Sequence, residues 1–347
     1  MVDLKLSFAM TPYDRLLPLI NGEVKPDGVT LEYAGMPGSV PRVFYEQMKF
    51  QRYDISEMSL SSYLRMRSIG WPYYMLPVFH NRNFPHAYIH IRKDSGIRQG
   101  HPEDLKGKRV GIHDYQQSLG LWTRGILQME WGIKPEDVVW WQERGEHFSL
   151  TGASTAAGLR LPSKVKLNFA NVDFDTMYDK GEIDATCGLG PGTGLGTRSA
   201  LDRGRVGFSA NPNVTTLFLD PRAEATRFYN KTGVYPPHHT TVVRESILKE
   251  RPWVAISLME AFEESKRIAI ERLHESPPTL MVFGSHFITD VSEIFGPDPF
   301  TYGIKANAKA FDMAQTFSVQ QELTERKQHL DEIFPMEVIY REERMPP

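Results

Sequence analysis

The chain has 347 residues, of which 41% are hydrophobic and 24% charged, and its formal net charge is −3. Single hydrophobic cores stop growing near this length, so the chain predicts two lobes, and its composition is that of a folded globular protein. The slightly acidic balance supplies no basic field that would hold DNA, RNA or an anionic membrane surface. We therefore expect neither a nucleic acid nor a membrane as a partner.

The single cysteine, Cys187, excludes an internal disulfide and every multi-cysteine metal or iron–sulfur site. The first segment, MVDLKLSFAMTPYDRLL, carries acidic side chains and no apolar run of signal-peptide length. No stretch approaches the roughly 18 apolar residues that a membrane span needs. We accordingly expect a cytoplasmic protein.

The first part of the chain alternates between strand-like and helix-like segments. Thr11, Pro12 and Asp14 supply the cap, the first-turn proline and the early acid of a helix directly after a strand, which is typical of a βα unit. The predicted strands are Leu4–Phe8, Val29–Tyr33, Tyr53–Ser56, Tyr73–Phe79 and Ala87–Arg92, and the predicted helices are Asp14–Ile20, Val40–Met48 and Ser59–Ser68.

A second βα start follows a polar stretch, which predicts a first interlobe crossing near Arg92. It consists of a strand over Lys108–His113 and a helix over Gln117–Trp131 that ends at Gly132. Polar, glycine-rich Arg144–Lys164 is interpreted as an insertion, either a lid or a contact loop. Further strands are predicted at Val138–Trp141, Val165–Asn168, Asp184–Cys187 and Val206–Phe208, and helices at Phe174–Lys180 and Arg222–Thr232.

The segment Tyr235–Val243 runs back to the first lobe, with the return crossing near His239–Val243. We expect the remainder to be helical and to pack on that lobe, with helices over Pro252–Leu273, Phe300–Thr316 and Val319–His329. The two crossings predict that residues 1–92 and 243–347 form the first lobe and residues 93–242 the second.

Several segments together resemble the 4,5-dihydroxyphthalate decarboxylase family. They include SEMSLSSY at residues 56–63, R-x-F-x-H from Arg82 to His86, W-T-R-G at residues 122–125 and P-W-V-A at residues 252–255. The chain departs from the family pattern in the length of Arg144–Lys164 and in the pair His238-His239. The resemblance implies an α/β, two-lobed fold of the type II periplasmic-binding-protein shape, with mixed sheets, flanking helices and an interlobe cleft.

The resemblance also implies an activity, namely decarboxylation of a hydroxylated aromatic acid. A substrate like 4,5-dihydroxyphthalate would give a protocatechuate-like product and CO2, and the protein would be a homo-oligomer. Such a reaction needs cations that orient a dianion, a base for the phenol and an acid for the ring carbon. No organic cofactor is expected, and a divalent metal remains an alternative.

Helix starts after strands are candidate anion receptors, because their backbone N–H groups are unpaired. We expect Arg82, Arg124 and the N–H groups around Gln116 and Gln117 to bind carboxylates. We expect the ring substituents to bond to the side chains of Tyr13, Ser56 and Tyr115. The alternatives are ordinary helix capping and solvated surface arginines.

His86 is the first candidate for acid–base work, with His239 or Glu57 as the second group. Adjacent strand residues point to opposite faces, so only one of His238 and His239 can face the cleft, and we favour His239. A capping role for Glu57 and a structural role for the hinge histidine are the alternatives. His86 and His90 are about 13 Å apart along a strand and cannot share a metal ion, so no metal ligands are predicted.

The glycines from Gly188 to Gly196 fit no nucleotide-binding spacing and are interpreted as a flexible crossover lining the cleft. Two other functions stay open. The fold also serves to bind a solute without chemistry, and an enzyme of another class could consume its own side chain or a cofactor.

Overall fold

The computed structural model describes residues 3–35, 40–145, 149–187, 211–278 and 281–344. Within these ranges the strands form two mixed sheets. The first runs, from edge to edge, β2 (Val29–Tyr33), β1 (Leu4–Ala9), β3 (Ile55–Ser59), β11 (Pro237–Arg244) and β4 (Tyr73–Arg82). The second runs β10 (Val214–Thr216), β5 (Ile89–Arg92), β9 (Ala185–Cys187), β6 (Arg109–Ile112), β7 (Val139–Gln142) and β8 (Leu167–Phe169).

Helices flank both sheets. Those of the first half are α1 (Leu17–Ile20), α2 (Val40–Phe50), α3 (Leu60–Arg67), α4 (Ser118–Trp131), α5 (Leu150–Ala156) and α6 (Phe174–Asp179). Those of the second half are α7 (Pro221–Thr232), α8 (Glu245–Glu250), α9 (Trp253–Glu275), α10 (Gly284–Phe295), α11 (Ala308–Gln320), α12 (Leu330–Ile333) and α13 (Met336–Arg344). Across the described ranges, none of these helices combines the length and the hydropathy that crossing a membrane requires.

The carboxyl ends of the parallel strands meet between the two sheets. Strands β1, β2 and β3 are parallel in the first sheet, and β6, β7, β8 and β9 are parallel in the second. Ser59 ends β3 and Ser118 begins α4, and their hydroxyl oxygens are 2.8 Å apart. The backbone N–H of Ser61 also donates to Ser118 Oγ, at 3.1 Å. Open α/β sheets bind ligands at this edge, so the contact marks the interlobe cleft.

The expected interlobe crossings would put β5 in the first sheet and β11 in the second, but the structure shows the reverse. Strand β5 pairs with β9 and β10 in the second sheet, and β11 pairs with β3 and β4 in the first. The chain changes sheet between Arg82 and Ile89 and between Thr216 and Pro237, because β11 is needed to satisfy the inner edges of β3 and β4. The division into domains at residues 1–92, 93–242 and 243–347 stays a prediction.

The expected insertion over Arg144–Lys164 contains a buried helix, α5. Its first turn is held by the Asp114 carboxylate, which accepts from Leu150 N and from Thr151 Oγ1, each at 2.6 Å. Small residues form this helix without a clear apolar stripe, so its stability comes from that cap and from tertiary packing. The interpretation as a polar loop was wrong for residues 150–156.

The helix expected over Val319–His329 is also absent from the described chain. Instead α11 ends at Gln320, and Glu322 has a φ of 55°, which no residue adopts inside a right-handed helix. The expected strand Val206–Phe208 and the glycines from Gly188 to Gly196 lie outside the described residues.

Helix α4 packs closely against α11 at Gly125, where there is no side chain to separate the two helices. A Cβ added at Gly125 would lie 2.1 Å from Cδ2 of Phe317. We expect Gly125→Ala to lower the free energy of unfolding by about 1–3 kcal/mol, since an overpacked core must shift to accept a methyl group. Urea unfolding would measure it. Gly145→Ala, where a Cβ meets nothing within 4 Å, is the control; equal losses in both variants would contradict the packing explanation.

Candidate functional site

The Glu57 carboxylate is buried in the middle of β3 and accepts three hydrogen bonds. Oε2 accepts from the Thr11 backbone N–H at 3.0 Å, and Oε1 accepts from Tyr13 Oη at 2.8 Å and from His239 Nδ1 at 2.6 Å. The register explains the last contact: Thr241 pairs with Glu57, and His239 lies two residues away on the same face of β11. Three of the expected site residues, Tyr13, Glu57 and His239, are therefore brought together.

Glu57 is ionised in this environment. Burial alone would raise the pKa of its carboxyl, but the hydrogen bond and charge of His239, the nearby His80 and the Thr11 N–H together lower it to about 2. An ionised carboxylate only accepts hydrogen bonds, so Nδ1 of His239 carries the hydrogen in this contact. Nε2 is then the ring nitrogen that the neutral imidazole uses as an acceptor.

His239 is the partly exposed partner of the buried carboxylate. Its side chain is 19% exposed, whereas that of Glu57 is fully buried. The edge of its ring meets Phe44 with centroids 5.0 Å apart, which holds the imidazole from the other side. The neighbouring His238 is buried, and burial lowers its pKa well below the ordinary value. Of the two histidines, His239 is the one placed to exchange protons with a ligand.

His80 is a further member of this cluster that the sequence did not reveal. It lies on β4, its Nε2 is 2.6 Å from Thr241 Oγ1, and its ring stacks parallel to Tyr13 at 6.1 Å. Burial lowers its pKa to about 3, so it is neutral at physiological pH. The alternation of β4 puts it on the face that carries Glu57 once β11 is known to lie between them.

Arg82 is turned towards the chain's own carbonyl groups. It donates to Tyr235 O at 2.8 Å, to Thr301 O at 2.9 Å and to Asn307 Oδ1 at 2.5 Å. These acceptors lie on the segment before β11 and on the loop before α11. The guanidinium thus fastens three segments together, and its expected role as a carboxylate clamp stays a prediction without geometric support.

Arg124 is likewise occupied inside the second lobe. Its Nε donates to Gln321 Oε1 at 2.8 Å and its Nη2 to Tyr115 O at 2.6 Å. The guanidinium also lies 3.7 Å from the centroid of the Tyr115 ring, in cation–π contact. Arg124 and Tyr115 are both buried, and the bond from Arg124 to Gln321, which directly follows α11, braces α4 against α11.

The amides expected to bind a carboxylate also have internal acceptors. Gln116 N donates to the Asp114 carboxylate at 3.2 Å and Gln117 N donates to the Asp114 carbonyl at 3.1 Å. The Gln116 side chain bridges Ser62 and Arg65. It joins the start of α4 to α3 rather than pointing at an open site.

Ser56 is buried on the opposite face of β3 from Glu57, because strand side chains alternate. Its hydroxyl has no hydrogen-bond partner among the residues that the structure describes. The structure therefore does not bring Ser56 together with the Glu57 cluster, and its expected contact with the ring stays a prediction.

His86 lies apart from this cluster, in an aromatic environment. Its ring is 5.3 Å from that of Phe228, 5.4 Å from Phe218 and 6.4 Å from Trp131. Burial lowers its pKa to about 4, and neither ring nitrogen has a partner within the described ranges. A neutral imidazole packed among aromatic rings is poorly placed for acid–base work, and the expected role of His86 stays a prediction without geometric support.

Among the residues described, no group of three or more His, Cys, Asp and Glu side chains could hold a metal ion. Cys187 is buried, and burial raises its pKa to about 12. The groups of the Glu57 cluster can donate and accept hydrogen bonds, and the imidazole of His239 can transfer a proton.

Two curated proteins match the sequence. One, from Comamonas testosteroni, is described as 4,5-dihydroxyphthalate decarboxylase. It is 34% identical over 339 residues, which are 96% of this chain and 97% of that protein. One from Pseudomonas putida with the same description is 36% identical over 229 residues, which are 65% of this chain and 81% of that protein. No family model matches the chain.

Solved structures match the whole fold at low identity. The aliphatic sulphonate binding protein SsuA of Escherichia coli is 13% identical with a TM-score of 0.50, covering 95% of this chain and 91% of that one. The alkanesulfonate-binding protein of Xanthomonas axonopodis pv. citri is 12% identical with a TM-score of 0.51, covering 97% and 98%. These matches confirm the expected two-lobed periplasmic-binding-protein shape and carry no information on the ligand.

The depressed pKa of Glu57 makes stability depend on pH in a specific window. Ionised Glu57 stabilises the fold fully above pH 4.5, the ordinary carboxyl value, and this contribution of about 3 kcal/mol is lost as the pH falls towards 2. We expect Glu57→Gln to be less stable by about that amount at pH 7 and the difference to shrink below pH 4.5. Urea unfolding over this range would measure it, with exposed Glu275→Gln as the control; parallel curves for wild type and Glu57→Gln would contradict the assignment.

Proposed function

Because the chain belongs to the 4,5-dihydroxyphthalate decarboxylase family and is therefore a carboxy-lyase, we propose that it removes one carboxylate as CO2 from a hydroxylated aromatic acid of the 4,5-dihydroxyphthalate type. The observation that carries the proposal is the hydrogen bond of 2.6 Å between buried Glu57 and partly exposed His239. A fixed imidazole backed by a carboxylate is the group that aromatic decarboxylation requires for proton transfer.

The chemistry follows from the substitution pattern of such an acid. Each carboxylate stands para to a hydroxyl, so removal of the phenol proton pushes electrons onto the ring carbon that bears the departing group. Protonation of that carbon makes CO2 a good leaving group, and its loss restores the aromatic ring. The product is a protocatechuate-like acid.

In this proposal, Nε2 of His239 removes the proton of the phenol. With Nδ1–H held by the Glu57 carboxylate, the neutral imidazole presents Nε2 as its acceptor, and Glu57 stabilises the imidazolium that forms. Tyr13 lies beside this pair with its hydroxyl on Glu57 and fixes the carboxylate.

The substrate's negative charge is assigned to the helix starts where the lobes meet. The first turns of α3 and α4 converge at Ser59 and Ser118, and helix N-termini attract anions through the helix dipole. In this assignment Arg82 and Arg124 position the sides of the cleft rather than contact the substrate. The cytoplasmic location and the homo-oligomer stay predictions from the sequence.

A decarboxylation assay tests the proposed function directly. Purified protein is incubated with 4,5-dihydroxyphthalate and with isomeric dihydroxylated diacids, and it should release CO2 and form the corresponding monoacid. Trapping measures the CO2, and chromatography measures the monoacid. Acid–base chemistry alone predicts the same rate with and without a chelator. Tight binding of a diacid without CO2 release would favour a solute-binding protein instead, and loss of turnover with chelator would require a metal.

Two histidine variants separate the candidate acid–base groups. We expect His239→Asn to lower kcat by about 10²–10⁴-fold while the substrate still binds, because general acid–base catalysis contributes that much. His86→Phe should keep wild-type turnover, since it replaces a buried imidazole by a ring that suits its aromatic neighbours. Steady-state kinetics and binding titration measure both, and the reverse pattern would return the role to His86.

A further inference from the structure

A second histidine–carboxylate pair lies at the carboxyl edge of the other sheet. His113 directly follows β6 and Glu143 directly follows β7, and Nδ1 of His113 is 2.5 Å from Oε2 of Glu143. The side chain of Glu143 is 2% exposed and that of His113 is 25% exposed. The pair repeats the arrangement of Glu57 and His239, with a buried carboxylate behind a partly exposed imidazole.

The parallel sheet builds this pair by its register. Ile112 pairs with Gln142 at the ends of β6 and β7. The next backbone bond runs from Glu143 N to Ile112 O at 3.0 Å, so His113 and Glu143 emerge side by side where the two strands end. Residues 30 apart in sequence therefore form one unit only when the sheet is assembled.

The imidazole ring of His113 is also supported by packing. The Phe174 ring lies nearly parallel to it, with centroids 6.4 Å apart and planes at 27°. Gly111, two residues earlier on the same face of β6, leaves the space for that ring, because a Cβ there would come within 2.8 Å of it. His113 is thus oriented by Glu143 on one side and by Phe174 on another, as a preorganised proton-transfer group must be.

The two pairs belong to edges that face each other. The segment that follows His113 begins α4 at Ser118, whose hydroxyl contacts Ser59. Ser59 is the register partner of His239 on β11. The lobe contact therefore joins the strand end that carries His239 to the helix start that follows His113.

Resting on the proposed decarboxylation, we propose that His113, oriented by Glu143, donates the proton to the ring carbon that loses CO2, while His239 takes the phenol proton at the opposite end of the ring. The hydroxyl and the carbon stand para to each other, so one imidazole does not serve both positions at once. Two pairs on opposing lobes supply a base and an acid on either side of a bound ring.

The steps balance without a further reactant. His239 Nε2 removes the phenol proton, and the ring carbon para to that oxygen takes a proton from His113. The bond from this carbon to the carboxylate then breaks, its electron pair restores the aromatic phenolate, and CO2 leaves. The phenolate regains its proton from His239, and His113 takes one from water, so each turnover consumes one proton.

The chain offers a matched control in the same lobe. Nδ1 of His101 is 2.8 Å from Oε1 of Glu103, but both side chains are about half exposed, at 46% and 51%. This surface pair has the same groups without burial or a place at the carboxyl edge. His101→Asn should leave activity unchanged.

The test uses full-length protein, 4,5-dihydroxyphthalate and the product 3,4-dihydroxybenzoate. We expect His113→Asn to lower kcat by about 10²–10⁴-fold with Kd for the diacid changed by less than a few-fold. In D2O, wild type should exchange the product's ring hydrogen para to the 3-hydroxyl, seen by proton NMR, and His113→Asn should lose this exchange. Glu143→Gln should lower kcat in the same direction, and Glu143→Asp should restore part of it.

The outcomes separate this inference from the proposed function. If wild type releases no CO2 from any diacid, the proposed function fails. If wild type is active and His113→Asn keeps its kcat and its exchange, only the inference is overturned, and a loss confined to Kd likewise makes His113 a binding residue. Should His113→Asn fail to fold by circular dichroism, His113→Gln and the two Glu143 variants decide by the same readouts.

Discussion

A carboxylate buried within a strand must find donors, and Glu57 finds them on segments far apart in the chain. Thr11 and Tyr13 come from the turn after β1, and His239 comes from β11, 182 residues after Glu57. Burial without these donors would neutralise the carboxyl, so the ionised state depends on the return of the chain as β11 between β3 and β4. The strand order of the first sheet therefore also determines that Glu57 is ionised.

The buried arginines need hydrogen-bond acceptors, just as the buried carboxylate needs donors. A guanidinium removed from water needs acceptors, and Arg82 and Arg124 take them from carbonyl and amide oxygens of their own chain. Arg82 ties the end of β4 to Tyr235, just before β11, and so fixes one of the places where the chain changes sheet. An arginine in a family motif can be needed for the geometry of a cleft without touching what the cleft holds.

The sequence predicted the regular elements well where local pattern determines them. The βα units around β1, β3 and β6 follow from strand alternation, and the glycine end of α4 follows from Gly132, which has a φ of 62°. The expected Thr11 cap was wrong, because Tyr13 is the N-cap residue and makes no side-chain capping bond. Helix α5 was missed because its residues, LTGASTA, lack an apolar stripe and are stabilised by Asp114 from another segment. The sheet to which β5 and β11 belong was misassigned because pairing partners leave no mark in a strand's own sequence.

The site residues likewise fall into those that the sequence revealed and those that it did not. Glu57, Tyr13 and His239 could be proposed from motifs, whereas His80, His113 and Glu143 carry no local signature, since each becomes informative only through its neighbour on an adjacent strand. Their one visible signal is position: His113 ends the predicted strand Lys108–His113 and Glu143 lies two residues after the predicted strand Val138–Trp141, at the edge where parallel sheets place ligands. A solute-binding fold closes two carboxyl edges over one small molecule. In the proposed mechanism each edge contributes an imidazole backed by a buried carboxylate, so a ring held between the two edges would have one proton-transfer group on each side.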